Sequence, residues 1–305
     1  MNDPRQSFDA IVGTGRAGKS AITEALPNRD RQIGAILVDT GRMSISDAER
    51  VLEEQRRTGV VFGEIALRLG VVKPEDIQFA LSRQFAYPYL PEGDASLSDS
   101  VVAAYKPFGK FSESMRALRS QLMLRWFTGS PRHAVLSIIS AERKAGRSFL
   151  AANLAVVFSQ MGERTLLIDA DLRNPCQHQL FKVQNQYGLT AILSGRAGTE
   201  QIVRLPFMLD LSILPAGSLP PNPQELLGRR QFAALLDQVS SEYGVVIVDT
   251  CAAQESADAQ VVATQTRGAL ILGRQHQTQH VVLNQLNQSL RRAGVEIVGS
   301  VLNDH

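Results

Sequence analysis

Cysteine is scarce: Cys176 and Cys251 are the two cysteines in 305 residues, and they lie far apart. This excludes a disulfide framework and a four-cysteine zinc site, and it fits a reducing compartment. No apolar run approaches the roughly 18 residues of a membrane span, and the polar start MNDPRQ has no apolar stretch behind it. Neither a direct membrane span nor a signal peptide is expected. An excess of one charge sign is missing too: 32 basic side chains face 30 acidic ones, a net charge of +2. That balance gives no pull towards nucleic acid or anionic lipid. Aromatic residues make up 6% of the chain and do not interleave with Arg116, Arg119 and Arg125, so no nucleic-acid partner is expected. The five histidines are scattered, and His276 and His280 have no carboxylate or thiol companion that would make them a metal pair.

What is present suffices for a real core: 44% of residues are hydrophobic and 20% charged, and the length accommodates two domains. Residues 1–30 read as a polar, flexible tail. Residues 31–92 read as a small helical domain with an internal repeat. Gly34, Gly41, Leu52 and Gln55 recur 29 positions later as Gly63, Gly70, Leu81 and Gln84. Ser44 with Asp47 resembles a capping box, and Pro74 suits a first helical position, so two helix-turn-helix units are predicted. Residues 93–104, rich in Ser and Asp, read as a linker. From 105 to 305, short apolar runs (HAVLSIIS, TLLIDA, LDLSILPA, VVIVD, GALILG, EIVGSVLN) alternate with helical patterns. This predicts an α/β domain, a parallel sheet with helices on both faces.

Two stretches compete as phosphate-binding loops. Gly13 to Ser20 matches G-x4-G-K-S without flaw, including Lys19, yet it follows a short run containing Asp9 and meets Pro27 soon after. It lacks the strand-before, helix-after context that a phosphate cradle needs, and is read as a chance match. The imperfect match, Ala141 to Ser148, follows the strand VLSIIS and opens the helix SFLAANLAVVFSQ. Two apolar strands end in acids, Asp169 with Asp171 and Asp249, where ligands of such sheets bind. Ala145, Gly146, Arg147, Ser148 and Phe149 are therefore the predicted nucleotide cradle. Ser148, Asp171 and Asp249 are the predicted metal-positioning set.

Together these motifs resemble the cytoplasmic P-loop domain of bacterial tyrosine kinases (BY-kinases), a MinD/ParA-like fold. Within that family residues 105–305 resemble the EpsG-type chain-length-determinant kinases of exopolysaccharide biosynthesis. Asp169-x-Asp171-x-Arg173 resembles the Walker A′ element, Asp249 stands at Walker B, and Ser256-Ala-Asp258-Ala follows it. Glu113-x2-Arg116-x2-Arg119 resembles the family's oligomerisation helix, and Val301-Leu-Asn303 the strand whose Asn reads adenine. The resemblance implies ATP and Mg2+ as cofactors and a homo-oligomer. Catalysis would fall to Asp169, Asp171, Asp249 and Arg147, with Asp169 the base for the tyrosyl proton. It further implies a membrane polysaccharide co-polymerase as partner, control of chain length and export, and a cytoplasmic place at the inner membrane through that partner.

The departures carry an alternative. Arg147 replaces the usual Lys, Lys144-Ala145 replace Gly-Glu, and Walker B reads Asp249-Thr-Cys251-Ala252 where Asp-x-Pro-Pro is usual. The five tyrosines, at 87, 89, 105, 187 and 243, form no C-terminal cluster, which places the substrate tyrosine elsewhere. These features point to a nucleotide-binding regulatory scaffold without useful phosphoryl transfer. A partition-type ATPase is a third reading, opposed by Glu142 where that class carries Lys. The repeat at 32–55 and 61–84 resembles the MshEN-type (GspE N-terminal) domain, which implies cyclic di-GMP. Gln32 and Val61 occupy the positions of its leading arginines, which leaves a docking or structural module as the other reading.

Overall fold

A computed structural model describes residues 28–84, 88–91 and 93–304. It divides into two compact units, Met1–Tyr87 and Pro88–His305. The flawless loop match at 13–20 lies outside the described residues.

The first unit consists of α1 (Asn28–Asp39), α2 (Ile45–Thr58), α3 (Phe62–Arg68) and α4 (Pro74–Gln84). The repeat seen in sequence is a repeat of backbone bonds. Gly41 N–H donates to Val38 O and Gly70 N–H to Leu67 O, both at 3.0 Å, and the two glycines share φ of 69° and 66°. That left-handed conformation is why each copy carries glycine there. Ser44 caps α2, its Oγ accepting the Asp47 N–H at 3.0 Å while donating to the Asp47 carboxylate. Pro74 opens α4 as expected. Leu37, Val51, Phe62, Ile65 and Ala80 close the unit's core.

The second unit opens with α5 (Val102–Tyr105) and α6 (Lys110–Arg125). There follow β1 (Val135–Ser140), α7 (Arg147–Ser159), β2 (Thr165–Asp169), α8 (Gln177–Leu180), α9 (Leu189–Leu193), β3 (Val203–Leu205) and β4 (Met208–Leu214). The chain continues through α10 (Pro223–Leu227), α11 (Arg230–Glu242), β5 (Val245–Asp249), α12 (Asp258–Thr266), β6 (Gly268–Arg274), α13 (His280–Arg292) and β7 (Glu296–Asn303). The described strands form one sheet in the order β3-β4-β2-β5-β1-β6-β7, parallel except for β3. Five of the predicted runs centre on strands β1, β2, β5, β6 and β7, and LDLSILPA on β4. β3 was not predicted, because three residues pairing at an edge leave no apolar run.

Alternation sorts the core onto two faces. Leu136, Ile138, Leu167, Ile247 and Leu270 meet α7, while Leu166, Ile168, Val246 and Val248 turn to the side of α11. Ile139, Ala269 and Ile271 pack on that opposite side with Leu286 and Leu290 of α13. Helix α7 is buried almost all round, consistent with its Ala- and Val-rich sequence.

The expected linker at 93–104 is corrected. Leu97, Val101, Ala103 and Ala104 are buried in the α/β core. Asn153 of α7 accepts the Ala103 N–H at 2.8 Å and donates to Ser100 O at 3.0 Å. Gln160 donates to Pro88 O and Ala103 O at 3.0 and 3.1 Å. Two buried amides thus satisfy a backbone whose Ser/Asp composition reads as solvent-exposed. The unit accordingly begins at Pro88, upstream of the predicted 105.

No helix among the described residues is long and apolar enough to cross a membrane. Trp126 is core packing: its indole N–H donates to Val135 O at 3.0 Å. A Cβ on Gly268 would stand 2.2 Å from the Trp126 ring. Gly268→Ala is therefore expected to cost about 1–3 kcal/mol by overpacking, read as a lower urea midpoint in equilibrium unfolding.

Candidate nucleotide site

Strand β1 delivers the loop Ala141–Gly146, and α7 starts directly behind it. Gly146 has φ of 97°, and a Cβ there would meet the Asn303 amide at 2.5 Å. Glycine is thus required at this point of the cradle. Lys144 also adopts a left-handed φ, 57°, at the position where the sequence pattern prefers glycine; a non-glycine residue there carries roughly 1 kcal/mol of backbone strain. Asn303, at the end of β7, donates Nδ2 to Ala145 O at 3.0 Å and so braces the loop. Thr278 donates to the Glu142 carboxylate at 3.0 Å, a second brace.

Asp169 and Asp249 are register partners on adjacent parallel strands. Both are fully buried. Burial, then the neighbouring Asp249 charge, pushes the Asp169 carboxyl well above its ordinary range. Burial raises Asp249 to about 6, against the nearby Ser148 hydroxyl, a hydrogen bond from Gln177 and the Arg147 charge, which lower it. Asp169 accepts backbone N–H groups from Asp171 (3.2 Å), Cys176 (3.0 Å) and Gln177 (2.9 Å). Through these donors it organises the loop after β2. Asp171 is the better acceptor: its Oδ1 takes the N–H groups of Arg173 and Asn174 at 3.2 and 2.8 Å, and its Oδ2 takes part in neither bond.

Arg147, expected at the phosphates, is buried and turned to the scaffold. Its Nε donates to Thr250 O and its Nη1 to Glu142 O, both at 2.8 Å, and Nη1 also bonds Ser140 Oγ. The guanidinium fork laces the loop to the ends of β1 and β5, a task a Lys ammonium cannot do from three directions in one plane. Ser148 and Phe149 stand in the first turn of α7. Phe149 lies 5.2 Å from the Phe111 ring, and with Gly146, Asn303 and Lys110 it lines a cavity of about 600 Å³ beside the loop.

Of the predicted oligomerisation residues, Arg119 is engaged within the chain, donating to Val157 O at 2.7 Å. Arg116 pairs with Glu113 through Nε at 3.0 Å and also bonds Pro107 O. Glu113 itself is exposed.

Sequence reasoning missed three features. Gln177 is fully buried and bonds Asp249 and the Ser148 carbonyl. Arg173 forms a two-pronged ion pair with Asp258, at 2.7 and 3.2 Å, across 85 residues. Arg143 links Glu255 (3.0 Å) with Asn174 (3.1 Å), joining the loops after β5 and β2. The Cys176 thiol is raised to about 12 by burial and the surrounding acids, so it is inert as a nucleophile at neutral pH.

The residues fit a magnesium nucleotide. Asp249 Oδ1 is buried without a partner beside the Ser148 hydroxyl, an acceptor awaiting a donor. Among the described residues no three His, Cys, Asp or Glu side chains could hold a metal by themselves. Hydroxyl, water and phosphate ligands would complete the shell, as Mg2+ prefers.

Asp249 has a sign-definite consequence for stability. Its folded value lies above the ordinary 3.8, so its contribution is present at low pH and lost as pH rises from about 4 through about 6. Between pH 4 and pH 8, the unfolding free energy of Asp249→Asn should move in the variant's favour relative to the wild type. Parallel urea titrations at the two pH values read this difference.

No protein-family model matches the chain. It is 32% identical over 204 residues to the tyrosine-protein kinase YwqD of Bacillus subtilis, covering 67% of this chain and 85% of that one. It is 34% identical over 192 residues to the tyrosine-protein kinase ptk of Acinetobacter johnsonii, covering 63% of this chain but only 26% of that longer protein. Among solved structures, the kinase domain of Escherichia coli tyrosine kinase ETK superposes with a TM-score of 0.62 at 33% identity, over 67% of this chain and 79% of that one. The chimerical protein CapA2B2 gives the same TM-score at 31% identity, over 73% and 96%.

Proposed function

The chain belongs to the bacterial tyrosine-protein kinases, and from that premise we propose that it is an ATP- and Mg2+-dependent protein tyrosine kinase controlling exopolysaccharide chain length and export. The observation that carries the chemistry is the juxtaposition of Asp249 with Asp171 and Ser148, behind the loop that ends at Gly146. Magnesium ATP supplies the transferable phosphoryl group. The loop N–H groups and the start of α7 face its phosphates, since a helix N-terminus favours anions. The cavity lined by Phe149 and Asn303 has room for base and ribose. Ser148 and Asp249 would hold the metal, which would neutralise phosphate charge. Asp171, with one oxygen uncommitted, accepts the tyrosyl proton. Phosphoryl transfer asks mainly for positioning and charge neutralisation, which this set provides.

A second reading, a nucleotide-gated scaffold without transfer, is favoured by the engagement of Arg147 with three scaffold oxygens. In either reading a membrane polysaccharide co-polymerase supplies the anchor, and the protein works on the cytoplasmic side of the inner membrane. The helical unit serves as a docking or structural module. No contact supports cyclic di-GMP there, and neither repeat carries its leading arginine.

The test is phosphotyrosine formation from ATP and Mg2+, read by mass spectrometry, with a tyrosine-bearing co-polymerase segment present. Asp171→Asn should lower it by about 100-fold, in the range typical of removing a general base, with the melting temperature nearly unchanged. Nucleotide binding without phosphotyrosine supports the scaffold reading. Oligomerisation through α6 is part of the proposal. Glu113→Ala with Arg116→Ala should shift the light-scattering mass towards monomer, and an unchanged mass counts against the ring.

A further inference from the structure

Gln177 touches all three nucleotide motifs, two through its side chain and one through its backbone. Its backbone N–H donates to Asp169 Oδ2 at 2.9 Å. Its Nε2 donates to Asp249 Oδ2 at 2.8 Å and to Ser148 O at 3.1 Å. Ser148 is the first-turn hydroxyl residue, so one carboxamide ties the start of α7 to the end of β5 and to the loop after β2. Both amide donors are thereby used. The acceptor end is different: Gln177 Oε1 is buried without a partner, as is Asp249 Oδ1.

Two orphaned acceptors on two side chains bonded to each other are costly. Each buried unpaired acceptor leaves a desolvation cost uncompensated. A methionine at 177 would remove the unpaired Oε1 but leave Asp249 Oδ2 without its donor. Retaining a carboxamide makes physical sense if a donor arrives in the working state. The donor must bring more than one hydrogen and must sit beside Ser148 and Asp249. Water on a magnesium ion has both properties, because Mg2+ keeps several waters and polarises their O–H bonds.

We propose that Gln177 is a positioning residue of the metal site. Its Oε1, together with Asp249 Oδ1, accepts hydrogen bonds from the hydration shell of the nucleotide's Mg2+, while its Nε2 fixes the orientation of Asp249. The inference rests on the reading of the site as one for a magnesium nucleotide, and it adds a residue to that site. It also accounts for the position of Gln177 at the head of α8, where the Asp169 carboxylate fixes its backbone.

The test is calorimetric titration of the full chain with ADP, with and without Mg2+, for the wild type, Gln177→Met and Gln177→Glu, with thermal melting alongside. The wild type is expected to gain ADP affinity on adding Mg2+. Gln177→Met should lose about tenfold or more of that gain, the usual effect of removing an outer-shell partner of a metal. Gln177→Glu keeps an oxygen acceptor but exchanges the Nε2 donor to Asp249 for a negative charge, so it too should lose the gain. A purely structural tie would lower the melting temperature of both variants and leave the Mg2+ gain intact. Should Gln177→Met fail to fold, Gln177→Asn, polar but one methylene shorter, takes its place with the same expected loss. Equal Mg2+ gains in the wild type and the Met or Asn variant overturn this proposal alone. No ADP binding by the wild type overturns it together with the reading beneath it.

Discussion

Two carboxylates that repel each other, Asp169 and Asp249, stand side by side with no exposure to water. They sit there because the parallel register of β2 and β5 ends on both residues at the same level. The surrounding chain is arranged to tolerate the pair. Three backbone N–H groups fold back onto Asp169, which makes the loop after β2 a collar around it. Gln177 turns from that collar to Asp249. Arg147 adds a positive charge from below, close enough to favour the ionised form of Asp249. Loop, helix start and strand ends are thus shaped by one electrostatic demand. Such concentrations of strained ionisation mark functional sites more often than structural ones.

The demand is met on a rigid base. Helix α7 carries the first turn of the cradle and is enclosed on the sheet side by β-strand side chains and on the other by residues 88–104 and α6. Asn153 and Gln160 bind that covering segment through its backbone. Arg119 adds a bond from α6 to the carbonyl of Val157. A helix held this way presents Ser148 with little freedom, which suits a site that works by placement.

The fold was readable where signals are local. Continuous Val/Ile/Leu runs gave the central strands, and their terminal acids gave the site. The capping pair Ser44 and Asp47 and the 29-residue period gave the helical unit its helices. What escaped depends on partners distant in sequence. The linker reading failed because Leu97 and Val101 are spaced among serines and aspartates, and the amides that satisfy that stretch lie on α7. Arg147 could be judged from its type but not from its direction, which Thr250 and Glu142 decide. The N–H groups that bind Asp169 come from a turn no periodicity announces. Arg173 and Asp258 were both noticed, in separate motifs, with nothing local to say that they pair.

Trp126 is the single tryptophan of the chain. Its ring lies against Gly268 of β6, and its N–H is bound at β1. The tryptophan emission of the described protein therefore issues from one spot in the α/β unit. Unfolding of the helical unit is dark to tryptophan emission and visible only in far-ultraviolet dichroism. Any offset between the two optical transitions measures how independently the two units melt.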